Sequence, residues 1–205
     1  ATEFDNMLAR VEGLLEEMMD EQKAKRDAEL QALYAQINPH FIYNTLASIR
    51  FLVLSGDTDR ADSALSDFIA LLRSSISTKE ELCMIRDEVS LLKRYLHIQE
   101  LFFEEPFHVE WDVAPDTLSC KIIRLTLQPI VENAILHGLK SKKGEKRLTI
   151  RIASQGDAIR ISIADNGVGT DKAPDFDRVS NEYSGSIGLR NVNSRIVLHF
   201  GKPYG

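Results

Sequence analysis

Residues 30–52 read LQALYAQINPHFIYNTLASIRFL. Leu30, Leu33, Ile37 and Phe41 recur at the spacing of an amphipathic helix, and the helical pattern runs on to about Leu54. Pro39 interrupts it. A proline inside a helix removes a backbone donor and tends to kink the rod. His40 follows directly. Imidazole is nearly neutral at working pH, so one ring nitrogen can act as a nucleophile. A lone histidine at a kink is more commonly a packing or capping residue, so its meaning depends on the rest of the chain.

Outward from this helix, Ser55-Gly56-Asp57 reads as a turn. Asp59 to Ser77 is a second amphipathic helix with Ala64, Leu65, Phe68, Ile69, Leu71 and Leu72 apolar. The two form a helical hairpin, which buries too little alone; pairing with a second copy into a four-helix bundle completes it. Upstream, Met7, Val11, Leu14 and Met18 recur at spacings of four, three and four, an a/d seam. DEQKAKRDAE, residues 20–29, mixes both charge signs and fits a solvated stretch of coiled coil.

Past the hairpin the pattern changes. A third helix is predicted from about Ile85 to Phe103, a strand over FHVEWDV, and a helix from Ile122 to Leu139. LTIRIA and IRISIA alternate as strands, with QGDA as the turn between them. Asp165 to Ser186 is rich in Gly, Asp, Asn and Ser and reads as a long loop; Gly188 to Phe200 is helical. The expectation is a helical half, 1–80, and an α/β half, 81–205, with the change near Thr78-Lys79.

Composition narrows the class. The 205 residues are 43% hydrophobic and 27% charged, ordinary for a globular protein, and the net charge of -6 argues against a nucleic-acid partner. Two distant cysteines, Cys83 and Cys120, give neither a zinc signature nor a disulfide framework, and a reducing cytosolic setting follows. No apolar run approaches the roughly 18–20 residues of a membrane span. The chain starts without a methionine, inside a helical pattern, and is expected to be a fragment.

Three further stretches give His40 something to attack. In LQPIVENAILHG, Asn133 carries a neutral amide oxygen suited to Mg²⁺ that also holds phosphate oxygens; a buried bridging residue is the plainer alternative. His137 lies four residues on, predicted on the same face. In IADNGVG, Asp165 follows a strand and can accept a hydrogen bond from an amino group such as that of adenine, expected as a buried carboxylate. Gly167 and Gly169 would let backbone approach a ligand closely. In GSIGLRNV, Gly185 and Gly188 flank a predicted helix start, where amides and the helix dipole favour phosphate.

With these stretches in order, the chain resembles the sensor histidine kinases of two-component systems, and is similar to the LytS/YesM-like subgroup. QINPHFIYNTL corresponds to the phosphoacceptor helix, YLHIQE to the linker, LQPIVENAILHG to the N box, DNGVG and GLRNVNSRI to the two glycine boxes. The resemblance covers about residues 30–200. It implies a dimeric phosphoacceptor domain, 30–80, then a GHKL-type α/β sandwich that binds ATP, 81–205, its final strand lying beyond Gly205. TEFDNMLARVEGLL resembles the end of a HAMP module, which makes 1–29 a signalling helix. By the same resemblance His40 is the phosphoacceptor, Asn133 binds Mg²⁺, Asp165 recognises adenine beside Gly167 and Gly169, and Gly185, Gly188 and Leu189 support the phosphate lid, with His137 also counted in the nucleotide site. Asn44, one turn after His40, is expected either to aim a water at a phospho-aspartate or to cap the kink at Pro39. The implied partners are a second copy and a response regulator receiver domain. The implied location is the cytoplasmic face of a bacterial membrane, with an anchor upstream.

Four departures stand out: Leu136 where such kinases often have a basic residue, Ser186 in place of a glycine, Phe102 in place of an arginine, and Ile123-Arg124 in place of a proline pair. They leave room for a second reading, a dimeric scaffold that binds nucleotide without transferring phosphate. A GHKL ATPase is disfavoured, because the position four before Asn133 holds Pro129 and not a general-base glutamate.

Overall fold

The structure, a computed structural model, describes residues 10, 18, 39–76, 81–103, 105–169 and 184–201. The expected HAMP-like helix, most of its seam, the apolar stripe before Pro39 and most of the loop after Asp165 lie outside these residues. The chain divides into two compact units, Ala1–Leu46 and Ala47–Gly205. This division falls earlier than the composition change near Thr78-Lys79.

Helix α1 spans Pro39–Leu54 and α2 spans Thr58–Ile76. Between the helices the amides of Ser55, Gly56 and Asp57 return to the carbonyls of Phe51, Val53 and Leu52. Gly56 takes φ +80 there, a conformation that glycine adopts without strain. Asp57 then caps α2, its Oδ1 accepting the Arg60 N–H at 3.3 Å. Ile49 and Leu52 bury against Ala61 and Ala64. Leu65 and Ile69, on another face of α2, are exposed.

The second unit continues with β1 (Leu82–Met84), α3 (Ile85–Glu100), β2 (Phe107–Val113), a 3₁₀ turn at Pro115–Ser119, β3 (Lys121–Ile123), α4 (Leu127–Asn133), a π-helical stretch at Ala134–Leu139, β4 (Lys146–Gln155), β5 (Ala158–Asp165) and α5 (Ser184–Phe200). The main sheet runs β2-β4-β5, with β2 parallel and β5 antiparallel to β4. The parallel pairing requires a crossover, and β3 and α4 lie within it. Gly156, at φ +61, makes the two-residue hairpin between Gln155 and Ala158. Strand β4 alternates: Leu148, Ile150 and Ile152 are fully buried beside Leu127, Val131, Ile135 and Leu139. Its other face carries Arg147 and Arg151, paired with Glu110 and Asp112 of β2.

The predicted helix over Ile122–Leu139 needs correction at both ends. Ile122 and Ile123 belong to β3, paired antiparallel with Leu82–Met84. The chain then turns at Leu125, φ +56, before α4 starts. Beyond Asn133 the helix widens, and the Lys140 N–H bonds back five residues to the Ile135 carbonyl. The third helix ends at Glu100, short of Phe103, and the last begins at Ser184, ahead of Gly188.

Candidate active site

His40 lies in α1 and is exposed. The Asn44 amide nitrogen lies 3.1 Å from its Nδ1 and 3.5 Å from its Nε2. The amide therefore faces the ring, as the four-residue spacing predicts. The side-chain bond to a carbonyl in this turn comes from Thr45, whose hydroxyl donates to the Phe41 carbonyl at 2.7 Å.

The other candidates gather around α4. Asn133 is its last residue, half-buried between Val131 and Ala134, which are buried. The π-helical stretch follows at once, so the chain past Asn133 no longer keeps the α-helical period. His137 is exposed within it. The widened turn aims Gly138 at the end of β5. Its carbonyl accepts the Val168 N–H at 3.1 Å.

Asp165 ends β5, and its Oδ1 accepts the Gly167 N–H at 2.9 Å, which fixes the carboxylate in a tight turn. It is exposed, not buried as expected. Its carboxylate lies directly against Gly138, where any methyl group would overlap it. Gly167 is packed on the Gly138 backbone in the same way, so its missing Cβ serves helix–loop packing. Gly169 has open space around it and takes φ +73; there the glycine serves conformation. Asn166 locks the loop to β4: its Oδ1 accepts the Arg147 N–H at 2.8 Å, its Nδ2 donates to the Glu145 carbonyl at 3.2 Å, and Lys142 donates to its carbonyl.

Gly185 is the second residue of α5 and Gly188 the fifth, one turn inside the helix. Gly188 also brings α5 close to α4, since a Cβ there would stand 3.4 Å from the Pro129 Cβ. Leu189 beside it is half-buried.

Three residues in the framework were not singled out from the sequence. Gly138 and Asn166 stood inside quoted motifs without a role. Glu88 is 3% exposed and bonded to backbone amides of Leu125, Thr126 and Leu127. Its signal was readable: it shares a helical face with Leu92, Tyr95 and Gln99, all buried, and an acid on such a face needs a partner. Tyr95 lies on that face too; burial, with the Glu132 charge adding, pushes its phenol well above the usual tyrosine range, against a smaller opposing effect of Gln99.

A family model described as histidine kinase matches residues 28–107, and one described as histidine kinase-, DNA gyrase B- and HSP90-like ATPase matches residues 122–204. The chain is 36% identical over 203 residues to the sensor histidine kinase YesM of Bacillus subtilis strain 168, covering 98% of this chain and 34% of YesM. It is 37% identical over 179 residues to the sensor histidine kinase YpdA of Escherichia coli K12, covering 85% of this chain and 31% of YpdA. YwpD of Bacillus subtilis strain 168, a putative uncharacterized protein, is 31% identical over 201 residues, 96% of this chain and 70% of YwpD. The chain thus spans about a third of the length of the two sensor kinases.

Proposed function

The chain belongs to the histidine kinase family, with an ATPase-type nucleotide-binding domain, and on that premise we propose that it transfers the γ-phosphoryl group of ATP to His40 and then to an aspartate of a response regulator. The observation that carries the reading is the packing of the Asp165 turn on Gly138, which joins the acidic strand end to the helix bearing Asn133. This arrangement offers an oriented carboxylate for the adenine amino group and an amide oxygen for the phosphate end.

In the transfer step a ring nitrogen of His40 forms a bond to the γ-phosphorus, the bond from phosphorus to the ADP oxygen breaks, and ADP leaves. The protein contributes positioning more than covalent chemistry. Among the described residues no group of three or more His, Cys, Asp or Glu side chains is placed to hold a metal ion. A donor set of one neutral amide fits an ion that arrives on the nucleotide, which suits Mg²⁺ bound by Asn133, phosphates and water. When bound, Mg²⁺ neutralises charge on the phosphates.

On the same reading the chain acts as a homodimer, with Asn44 aiming a water during removal of phosphate from the regulator. Its place, on the same reading, is the cytoplasmic face of a bacterial membrane; no helix among the described residues is long and apolar enough to cross one. Incubation with γ-labelled ATP tests the core of the proposal. Acid-labile label on the parent protein, lost in His40→Gln with nucleotide binding retained, is the expected result. Label retained in His40→Gln, or release of free phosphate alone, would contradict it.

A further inference from the structure

Glu88 is a buried acid that the transfer step does not use. It reaches from α3 to the start of α4. Its Oε1 accepts the Leu125 N–H at 2.6 Å, and its Oε2 accepts the N–H groups of Thr126 and Leu127 at 3.2 and 3.3 Å. The first amides of a helix have no partner within it. Thr126 precedes α4 but makes no side-chain cap; its hydroxyl donates to the Ile123 carbonyl at 2.7 Å. The capping oxygens come instead from another helix.

Two further facts show that the local chain does not set this geometry alone. Leu125 is the one non-glycine residue with positive φ among the described residues. Such a conformation is strained for a leucine and persists where surrounding contacts impose it. And α4 has only seven residues, so small shifts at its start pass directly to Asn133 at its end. At that far end the same helix α3 presents Tyr95, buried and close enough to Glu132 for the neighbouring charge to act on it.

We propose that Glu88 is a positioning residue of the nucleotide site: by holding three consecutive amides it sets the register and tilt of α4, and so the aim of the Asn133 amide at the Mg²⁺–phosphate end of ATP. This rests on the assignment of Asn133 given above. A carboxylate accepts from all three amides, whereas the glutamine that replaces it in Glu88→Gln presents one acceptor oxygen and one NH₂ group that cannot accept.

Calorimetry of ADP binding, in Mg²⁺ and in EDTA, on the parent, Glu88→Gln and Asn133→Ala tests it, on protein shown folded by circular dichroism. The expected result is that both variants lose about tenfold of the Mg²⁺-dependent gain in affinity, while binding in EDTA stays within about twofold of the parent. A cap that only stabilises the domain leaves the ratio between the two conditions unchanged. So loss of the Mg²⁺ gain in Asn133→Ala but not in Glu88→Gln overturns the role of Glu88 alone. No loss in Asn133→Ala overturns the assignment of Asn133, and the inference with it. If Glu88→Gln does not fold, hydrogen exchange on the parent decides. The amides of Leu125, Thr126 and Leu127 should gain protection with Mg²⁺-ADP beyond that with ADP in EDTA, and equal protection overturns the proposal.

Discussion

At the scale of the residue, the site depends on two side chains that are missing. Gly138 has no Cβ, so the Asp165 carboxylate can lie against it, and Gly167 has none, so the loop can pack on Gly138. Gly138→Ala should therefore displace Asp165 and weaken ATP binding nearly as much as Asp165→Ala. The expected loss is about 1.5–3 kcal/mol, the range for a hydrogen bond to a charged group. Calorimetry giving the parent affinity for both variants would remove adenine recognition from Asp165. Asn44 is the second case. Its amide faces the His40 ring, so Asn44→Ala should slow dephosphorylation of the regulator while His40 still takes label. Equal rates would leave Asn44 a purely local role at the histidine. The residue types here were legible because nucleophile, amide and acid stood in ordered motifs. The role of Gly138 was not, because its meaning lies in a contact with a loop far along the chain.

At the scale of the element, periodicity found the long pieces and missed the short ones. Strands β4 and β5 and helices α2 and α3 span several periods, so their apolar patterns stood out. Strands β1 and β3 have three residues each, and what makes Ile122 and Ile123 a strand is pairing with Leu82–Met84. No local pattern records a partner so distant. The π-helical turn after Asn133 is hidden for a related reason: an α-helical period describes the apolar pattern on both sides of it, and the extra residue of the wide turn leaves no mark in that pattern. Strand β1 also carries a test. Burial first, then the Glu88 charge, pushes the Cys83 thiol up to about 11 from 9.0. The folded state thus favours the protonated thiol. The stability this gives is fully present below about pH 9, the unfolded value, and is lost as pH rises through about 11. Denaturant midpoints should fall across that window in the parent and less in Cys83→Ala. Parallel curves would show that Cys83 does not titrate with folding. At pH 8, Cys120, half-buried, should react with a thiol reagent well before Cys83.

At the scale of the molecule, helix α3 serves both neighbours. On one side Asp67 of α2 accepts from Arg94 at 2.7 Å and His97 at 2.6 Å; on another Glu88 and Tyr95 meet the two ends of α4. The hairpin helix α2 is thereby tied to α3. Part of what the hairpin leaves open to solvent is apolar. Phe51 and Leu54 are 70% and 74% exposed, and Leu65 and Ile69 lie one turn apart on α2 facing away from its buried Ala61, Ala64, Phe68 and Leu71. Exposed apolar side chains on both helices of one hairpin are what a second copy would cover, completing the four-helix bundle that the sequence suggests. Ile69→Asp should then separate the copies, since burying an unpaired carboxylate costs more than about 2 kcal/mol. Light scattering should find the parent dimeric at tens of micromolar, a rough scale for a modest helical interface. The variant should be monomeric with unchanged helix content, because Ile69 contributes little within one chain. A monomeric parent, or a variant that stays dimeric, would mean that this face is not the one that pairs.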